Sequence, residues 1–148
     1  MIAVIEAVRE KLITDAPLTA LLATKAYGGG ITIPAIFDHV PQTQDGALNT
    51  EFPFVRIGSF VRDENDTDTE LGFVGSLTIH TWSRFRGMQE AENVMDKIYD
   101  CLHFQALTVT GFGVSTIHQE FAEVLTDSDG LTRHGVQRFR IILEKTTS

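Results

Sequence analysis

Apolar residues recur along this chain with two different periods, and the order in which the periods change outlines a fold. Over residues 2–13, Ile5, Val8 and Leu12 stand three to four positions apart, flanked by Ile2 and Ile13. Glu6, Arg9, Glu10 and Lys11 turn to the other side, so the spacing predicts an amphipathic helix with one buried stripe. Asp15-Ala16-Pro17 stops it and starts a short second helix over 18–22. Asp15 or Ala16 serves as its cap, and Pro17 suits the first helical position, where a missing N–H costs nothing. Gly28-Gly29-Gly30 is expected to close the helical region as a flexible loop.

Beyond the glycines the period falls to two. Residues 33–40 read as a strand interrupted by Pro34 and Pro41, which places it at a sheet edge; residues 41–51 are polar and turn-rich. From 54 to 62, Val55, Ile57 and Val61 face one way and Arg56, Gly58 and Arg62 the other, with Phe60 breaking the pattern. Over 71–82, Leu71, Phe73, Leu77 and Ile79 alternate with Thr78 and His80. The two strands predict a long hairpin whose tip carries Asp63, Glu64, Asp66, Asp68 and Glu70. Helical spacing returns over 88–102 in Met88, Ala91, Met95, Ile98 and Leu102. Leu107-Thr108-Val109 then reads as a short strand.

A final hairpin turns around 126–130, where Asp129-Gly130 suits two central positions that both need positive φ. A two-residue or a four-residue loop leaves the same faces together. In either, Phe139, Ile141 and Leu143 share the core side with Val114 and Thr116, and Arg138 and Arg140 share the other side with Gln119 and Glu123. The blocks of helix and hairpin predict one α+β domain over residues 1–148, a mainly antiparallel sheet with helices packed on one face.

Composition sharpens this in one respect. The chain of 148 residues, 43% apolar and 22% charged, can bury a core without metal or disulfide. Its net charge of −8, however, argues against gripping nucleic-acid phosphates or an anionic membrane. A negative wall past which nucleic acid slides stays open. Cys101 is the only cysteine, so no internal disulfide forms, and the acidic start around Glu6 lacks a secretory signal's basic end. A cytoplasmic setting is expected.

Candidate chemistry is sparse. His39, His80, His103, His118 and His134 show no i, i+4 pair, and Cys101 has no cysteine partner at ligand spacing. His80, His118 and His134 could meet across a sheet, but the alternation does not settle their faces. Gly58-Ser59 and Gly75-Ser76 lie within strands rather than on a nucleophile turn. Cys101 follows Asp100 with no cation beside it, as a packed thiol does. The 63–70 run lacks the glycine and glutamate positions of a calcium loop; it reads as a solvated tip or as a contact for a basic partner. Gly28-Gly29-Gly30 lacks the context of a phosphate cradle. Trp82, Arg84 and Arg86 combine the residue types of interface anchors, against a plainer reading as one core tryptophan and two solvated arginines. No cofactor, metal or catalytic group emerges.

Three segments together carry a likeness. They are Phe52-Pro53-Phe54-Val55-Arg56-Ile57-Gly58, Leu77-Thr78-Ile79-His80-Thr81-Trp82-Ser83-Arg84 running through Gly87 into a helix, and Asp129-Gly130-Leu131-Thr132-Arg133-His134-Gly135 before a last strand. With the N-terminal helix leading into Ala16-Pro17-Leu18, the chain resembles the tail-completion family of long-tailed bacteriophages, the tail terminator or tail-to-head joining proteins. The resemblance spans most of the chain. It implies a non-enzymatic virion subunit, assembled in the host cytoplasm, that forms a six-membered ring on the tail tube and stops its growth. It also implies as partners the tube protein and the head connector or stopper, with genomic DNA passing through unbound. The loop 41–51 and the acids of 63–70 are then candidates for axial contacts or the lumen, and Trp82, Arg84, Arg86, Arg138 and Arg140 for interfaces. Another neck protein, a head-completion or stopper subunit, fits the same features; a small ligand-binding domain fits them less well.

Overall fold

The computed structural model describes residues 2–62 and 72–145. Helix α1 (Ile2–Ile13) and the single turn α2 (Ala16–Thr19) come first. Strands β1 (Thr24–Tyr27), β2 (Ile31–Pro34), β3 (Ile36–Phe37), β4 (Phe54–Arg62) and β5 (Gly72–Ser83) follow, then helix α3 (Gln89–Leu102) and strands β6 (Phe112–Thr126) and β7 (Arg133–Lys145). Five strands form one sheet in the order β3-β4-β5-β7-β6, while β1 and β2 pair separately. Every neighbour in the large sheet is antiparallel except β3, which runs parallel to β4 at the edge. This is the expected α+β architecture.

Both long helices lie on one side of the sheet. α1 packs over β3 and β4, and α3 over β5, β7 and β6. Val4, Val8 and Leu12 of α1 and Val94, Ile98 and Leu102 of α3 are fully buried against Ile57, Leu77, Ile79, Ile117, Phe139 and Ile141. The α1 stripe is centred one residue from the expected one: Val4 is buried, Ile5 is half-buried and Ile2 is 71% exposed. Arg9 ties α1 to the sheet edge, its Nε donating to the Ile36 carbonyl over 3.2 Å. Asp15 is the cap of α2, its Oδ1 accepting from Leu18 N at 3.3 Å. Pro17 therefore takes the second helical position, and α2 ends at Thr19 rather than at 22.

Two bulges correct the expected faces. In β4, Ile57 pairs with Ile79 but Phe60 pairs with Leu77, so Gly58 and Ser59 oppose Thr78 alone. The extra residue returns Phe60 to the core side and turns Val61 out, where it is 61% exposed. In β6 the register slips between Gln119 and Phe121, which sets Ile141 opposite Ile117 instead of His118. Ile117 is fully buried, and Thr116, expected inside, pairs with Ile142 on the far side. Gln119 moves in the opposite sense. Its Oε1 accepts from Gln137 Nε2 at 2.7 Å beneath α3, rather than joining Arg138 and Arg140.

Three further expectations change. Gly28-Gly29-Gly30 is the turn of the β1–β2 hairpin, with Gly29 and Gly30 at positive φ, and not the tail of a helical region. Leu107-Thr108-Val109 is not a strand, yet Leu107 and Val109 plug the core from a loop. Met88, expected on the buried face of the third helix, is 39% exposed and precedes it. The last hairpin turn spans 127–132, in which Asp129 Oδ1 accepts from the backbone of Leu131 and Thr132 at 2.9 Å each.

Candidate interaction surfaces

The sheet face away from the helices is lined differently. Phe54, Trp82 and His134 stand opposite one another on β4, β5 and β7, so their side chains share this face. They form a row: the Trp82 and His134 rings stack at 3.7 Å and 8°, and the Phe54 and Trp82 rings lie 6.3 Å apart. Phe37 and Phe52 extend the row beyond Phe54. The polypeptide before β4 shelters this end, with Ala35, Phe37 and Phe54 forming a second small core.

Next to the row, His80 Nδ1 and His134 Nε2 are 2.8 Å apart, a hydrogen bond in which one neutral ring donates to the other. Burial, the neighbouring His134 and the Arg56 guanidinium together push His80 down to about 4. Burial lowers His134 as well, against the pull of Asp127. Of the three histidines that sequence alternation left unplaced, these two meet. His118 instead faces the Phe104 ring at 5.8 Å. Among the described residues no three His, Cys, Asp or Glu side chains come together as a metal-binding group.

Arg84 joins the aromatic end. Its guanidinium carbon lies 4.4 Å from the centre of the Phe52 ring, and its Nε donates to Thr132 Oγ1 at 3.3 Å. Thr132 in turn donates to Asp129 Oδ2, and these hydrogen bonds hold the exposed Asp129 carboxyl down at about 2. The position of Arg84 is set by Ser83, whose Oγ donates to Glu90 Oε1 at 2.7 Å and accepts from Phe85 N. Trp82 and Arg84 thus share a groove of about 370 Å³ with Leu48, Phe52, Phe54 and Thr132. Trp82 is half-buried in it, neither a core residue nor fully solvated.

The other sequence candidates lie apart from this groove. Arg86 is exposed on the turn before α3. Arg138 sits four residues along β7 from His134, roughly 13 Å at the rise of an antiparallel strand. It pairs with Glu120 at 2.9 Å and lies over the Phe121 ring at 5.4 Å. Arg140 is half-buried opposite His118 on the same face, which Glu123 also shares through its pairing with Val136. Asp63, Glu64, Asp66, Asp68 and Glu70 fall outside the described residues. Cys101 is buried, and burial together with Asp15 pushes its thiol up to about 12, far from a nucleophile's range. Sequence reasoning singled out loop 41–51 but did not join it to Trp82 and Arg84, because a groove between a loop and a sheet end has no period; the cluster Phe52-Pro53-Phe54 was the available signal.

A sheet sealed by helices on one face and set with aromatic, histidine and arginine side chains on the other describes a protein that works through its surfaces. The comparisons make that class particular. The family model described as tail completion protein gp17 matches residues 6–144, and the chain belongs to that family, a structural and non-enzymatic component of phage tails. It is 25% identical over 101 residues to the tail completion protein gp17 of Bacillus phage SPP1, covering 68% of this chain and 75% of that protein. The solved structure of SPP1 gp17 superposes with a TM-score of 0.52 at 21% identity over 99% of this chain and 90% of that one. A chain in the virion of a native gene transfer agent particle superposes better, with a TM-score of 0.71 at 22% identity over 94% and 92%.

Proposed function

We propose that this chain, as one unit over its whole length, caps the tail tube at its head-proximal end. Copies form a ring, most simply of six, that halts tube polymerisation and presents the surface to which the head connector or stopper docks. The observation that carries this reading is the family match across residues 6–144. The likeness to a chain from an assembled virion supports it at the level of fold. In this reading the tube protein and the head connector are the partners, the subunit is made in the bacterial cytoplasm, and the acids of 63–70 contribute to a negative lumen through which DNA passes without specific binding. Trp82 and Arg84, gathered in one groove, and Arg138 and Arg140, on the open sheet face, are then contact residues along the tail axis.

The test is to mix the purified chain with purified tail tubes and image the tube ends. Rings at one end, with tubes that no longer elongate on addition of tube protein, are the expected result. Bare ends and continued elongation would reject the capping role, and binding to purified heads instead would move the chain to the head side of the neck.

A further inference from the structure

Between α3 and β6 lies a second groove of about 300 Å³, lined by Glu92, Asp96, Tyr99, Ala122, Glu123 and Gln137 among others. Its floor holds an unsatisfied acceptor. Gln137 is 1% exposed; its Nε2 donates to the Met95 carbonyl and to Gln119 Oε1, but its own Oε1 has no partner. A buried amide oxygen without a donor is costly, and three carboxylates stand at the rim. The groove therefore calls for a donor-rich cation. Its outer wall is β6, the last strand of the sheet among the described residues. Among the described residues, His103 and Phe104 hydrogen-bond to its edge at Ile117 and Gln119. Exposed residues follow from Glu120 to Glu123.

The matching element lies at the opposite edge of the molecule. The β1–β2 hairpin hangs from the β3–β4 side, its base held by Ala23 N to Pro53 O and Ala35 N to Ala23 O. It pairs with no other strand among the described residues, and two strands alone are marginal in water. Tyr27 and Ile31 are 45% and 58% exposed. Lys25 is its only charged residue. Hairpin and groove are separated by the width of the five-stranded sheet, roughly 19 Å at the usual strand spacing, so the hairpin does not fold onto its own groove.

We propose that the β1–β2 hairpin of one copy docks along β6 of a second copy, with Lys25 entering the acidic groove between α3 and β6 and supplying the donor that Gln137 lacks. Two different patches at opposite edges make a heterologous contact, which repeats from copy to copy and closes when the rotation allows. This deepens the ring reading by naming the surfaces that join neighbours.

The experiment uses the full chain with Cys101→Ser. A chain carrying Lys25→Cys is mixed with one carrying Asp96→Cys and oxidised; a mixed disulfide dimer is expected to dominate. The control replaces Asp96→Cys by Asn93→Cys, on the same helix but lining a different groove with Phe85 and Leu21. Trapping no better than this control overturns the proposal, whatever the oligomeric state of the wild-type chain. In parallel, Lys25→Glu or Asp96→Lys alone is expected to weaken self-association at least tenfold by sedimentation, and the two together to recover most of it. Single variants that associate like wild type also overturn it. Rings on tubes without the specific mixed dimer would sink this contact and leave the capping role standing. The mixed dimer without tube capping would do the reverse.

Discussion

On the helix side of the sheet, Leu77, Ile79, Phe139 and Ile141 are buried by α1 and α3, and their neighbours are almost all aliphatic. On the other side the same strands carry His80, Trp82 and His134, which stack and hydrogen-bond to one another, and further along Arg138 and Arg140. Alternation along β5 and β7 puts both sets on one backbone, so the two faces share hydrogen bonding and differ only in what covers them. The first face holds the fold together by burial. The second carries the candidate contact residues, and its side chains are costly to bury only where they lack partners.

The sharpest way to break this contrast is to truncate equal rings on the two sides. Phe139→Ala removes a fully buried ring with little room to collapse and is expected to cost about 3–5 kcal/mol of unfolding free energy. Phe121→Ala, 40% exposed on the other face, is expected to cost less than about 1 kcal/mol. Urea denaturation of the two variants measures both. Equal losses would mean that the open face is as much a part of the core as the covered one.

A smaller effect tests the β4 bulge that decides which residues reach the covered face. Gly75 lies where Phe60 turns back inward, and a Cβ there would meet the Phe60 ring and come within 2.6 Å of the Val61 carbonyl. Gly75→Ala is expected to cost about 1–3 kcal/mol, since backbone cannot step aside. At Gly135 the added Cβ meets chiefly the flexible Met95 side chain, with Thr81 Cβ at 3.4 Å, so Gly135→Ala is expected to cost about 1 kcal/mol or less. Thermal melts that ranked the two the other way would contradict the bulge.

That bulge also marks where sequence reasoning stopped. The helices, the long hairpins and the one-sided packing were legible because period and turn chemistry repeat over ten or more residues. Phe60 and Thr116 were assigned to the wrong faces because one inserted residue inverts alternation without changing composition. Phe60 was nonetheless visible as an exception, an apolar side chain where the pattern asked for a charged one. The β1–β2 hairpin escaped because Lys25, Ala26 and Tyr27 carry no alternation, and three glycines read equally well as a helix end. Of the candidate surface, Trp82 with Arg84 was legible from residue type. The His80–His134 pair was not, since it depends on the register of β5 against β7.

The histidine pair gives the next effect in size. Folding lowers both pKa values, so between about 4 and the unfolded value of 6.5 the unfolded chain binds more protons than the folded one. Stability then rises with pH across that window, is complete above it, and is lost as pH falls through it. Because both rings are half-exposed, solvent screening reduces the expected change to about 1 kcal/mol. Arg56 and Asp127 act on the pair with opposite signs. Chemical denaturation at pH 7.5 and pH 4.5 is expected to show the drop in the wild-type chain and a reduced one in His80→Gln. The same slope in both would place its origin elsewhere.

Arg138 is the smallest test and the most pointed one. Its bond to Glu120 is short, but the Arg138 side chain is 50% exposed and the pair lies on the open face. Exposed ion pairs contribute little, because solvent screens the attraction and ordering two long side chains costs entropy. Arg138→Ala is therefore expected to change unfolding free energy by less than about 0.5 kcal/mol, within the range of ordinary surface changes. If the open face exists for contact, the same variant has to show its effect in capture of tail tubes or heads by the folded protein. A loss above about 1.5 kcal/mol would mean that Arg138 is held for folding, and the contrast between the two faces would fail at the residue where it is most exposed.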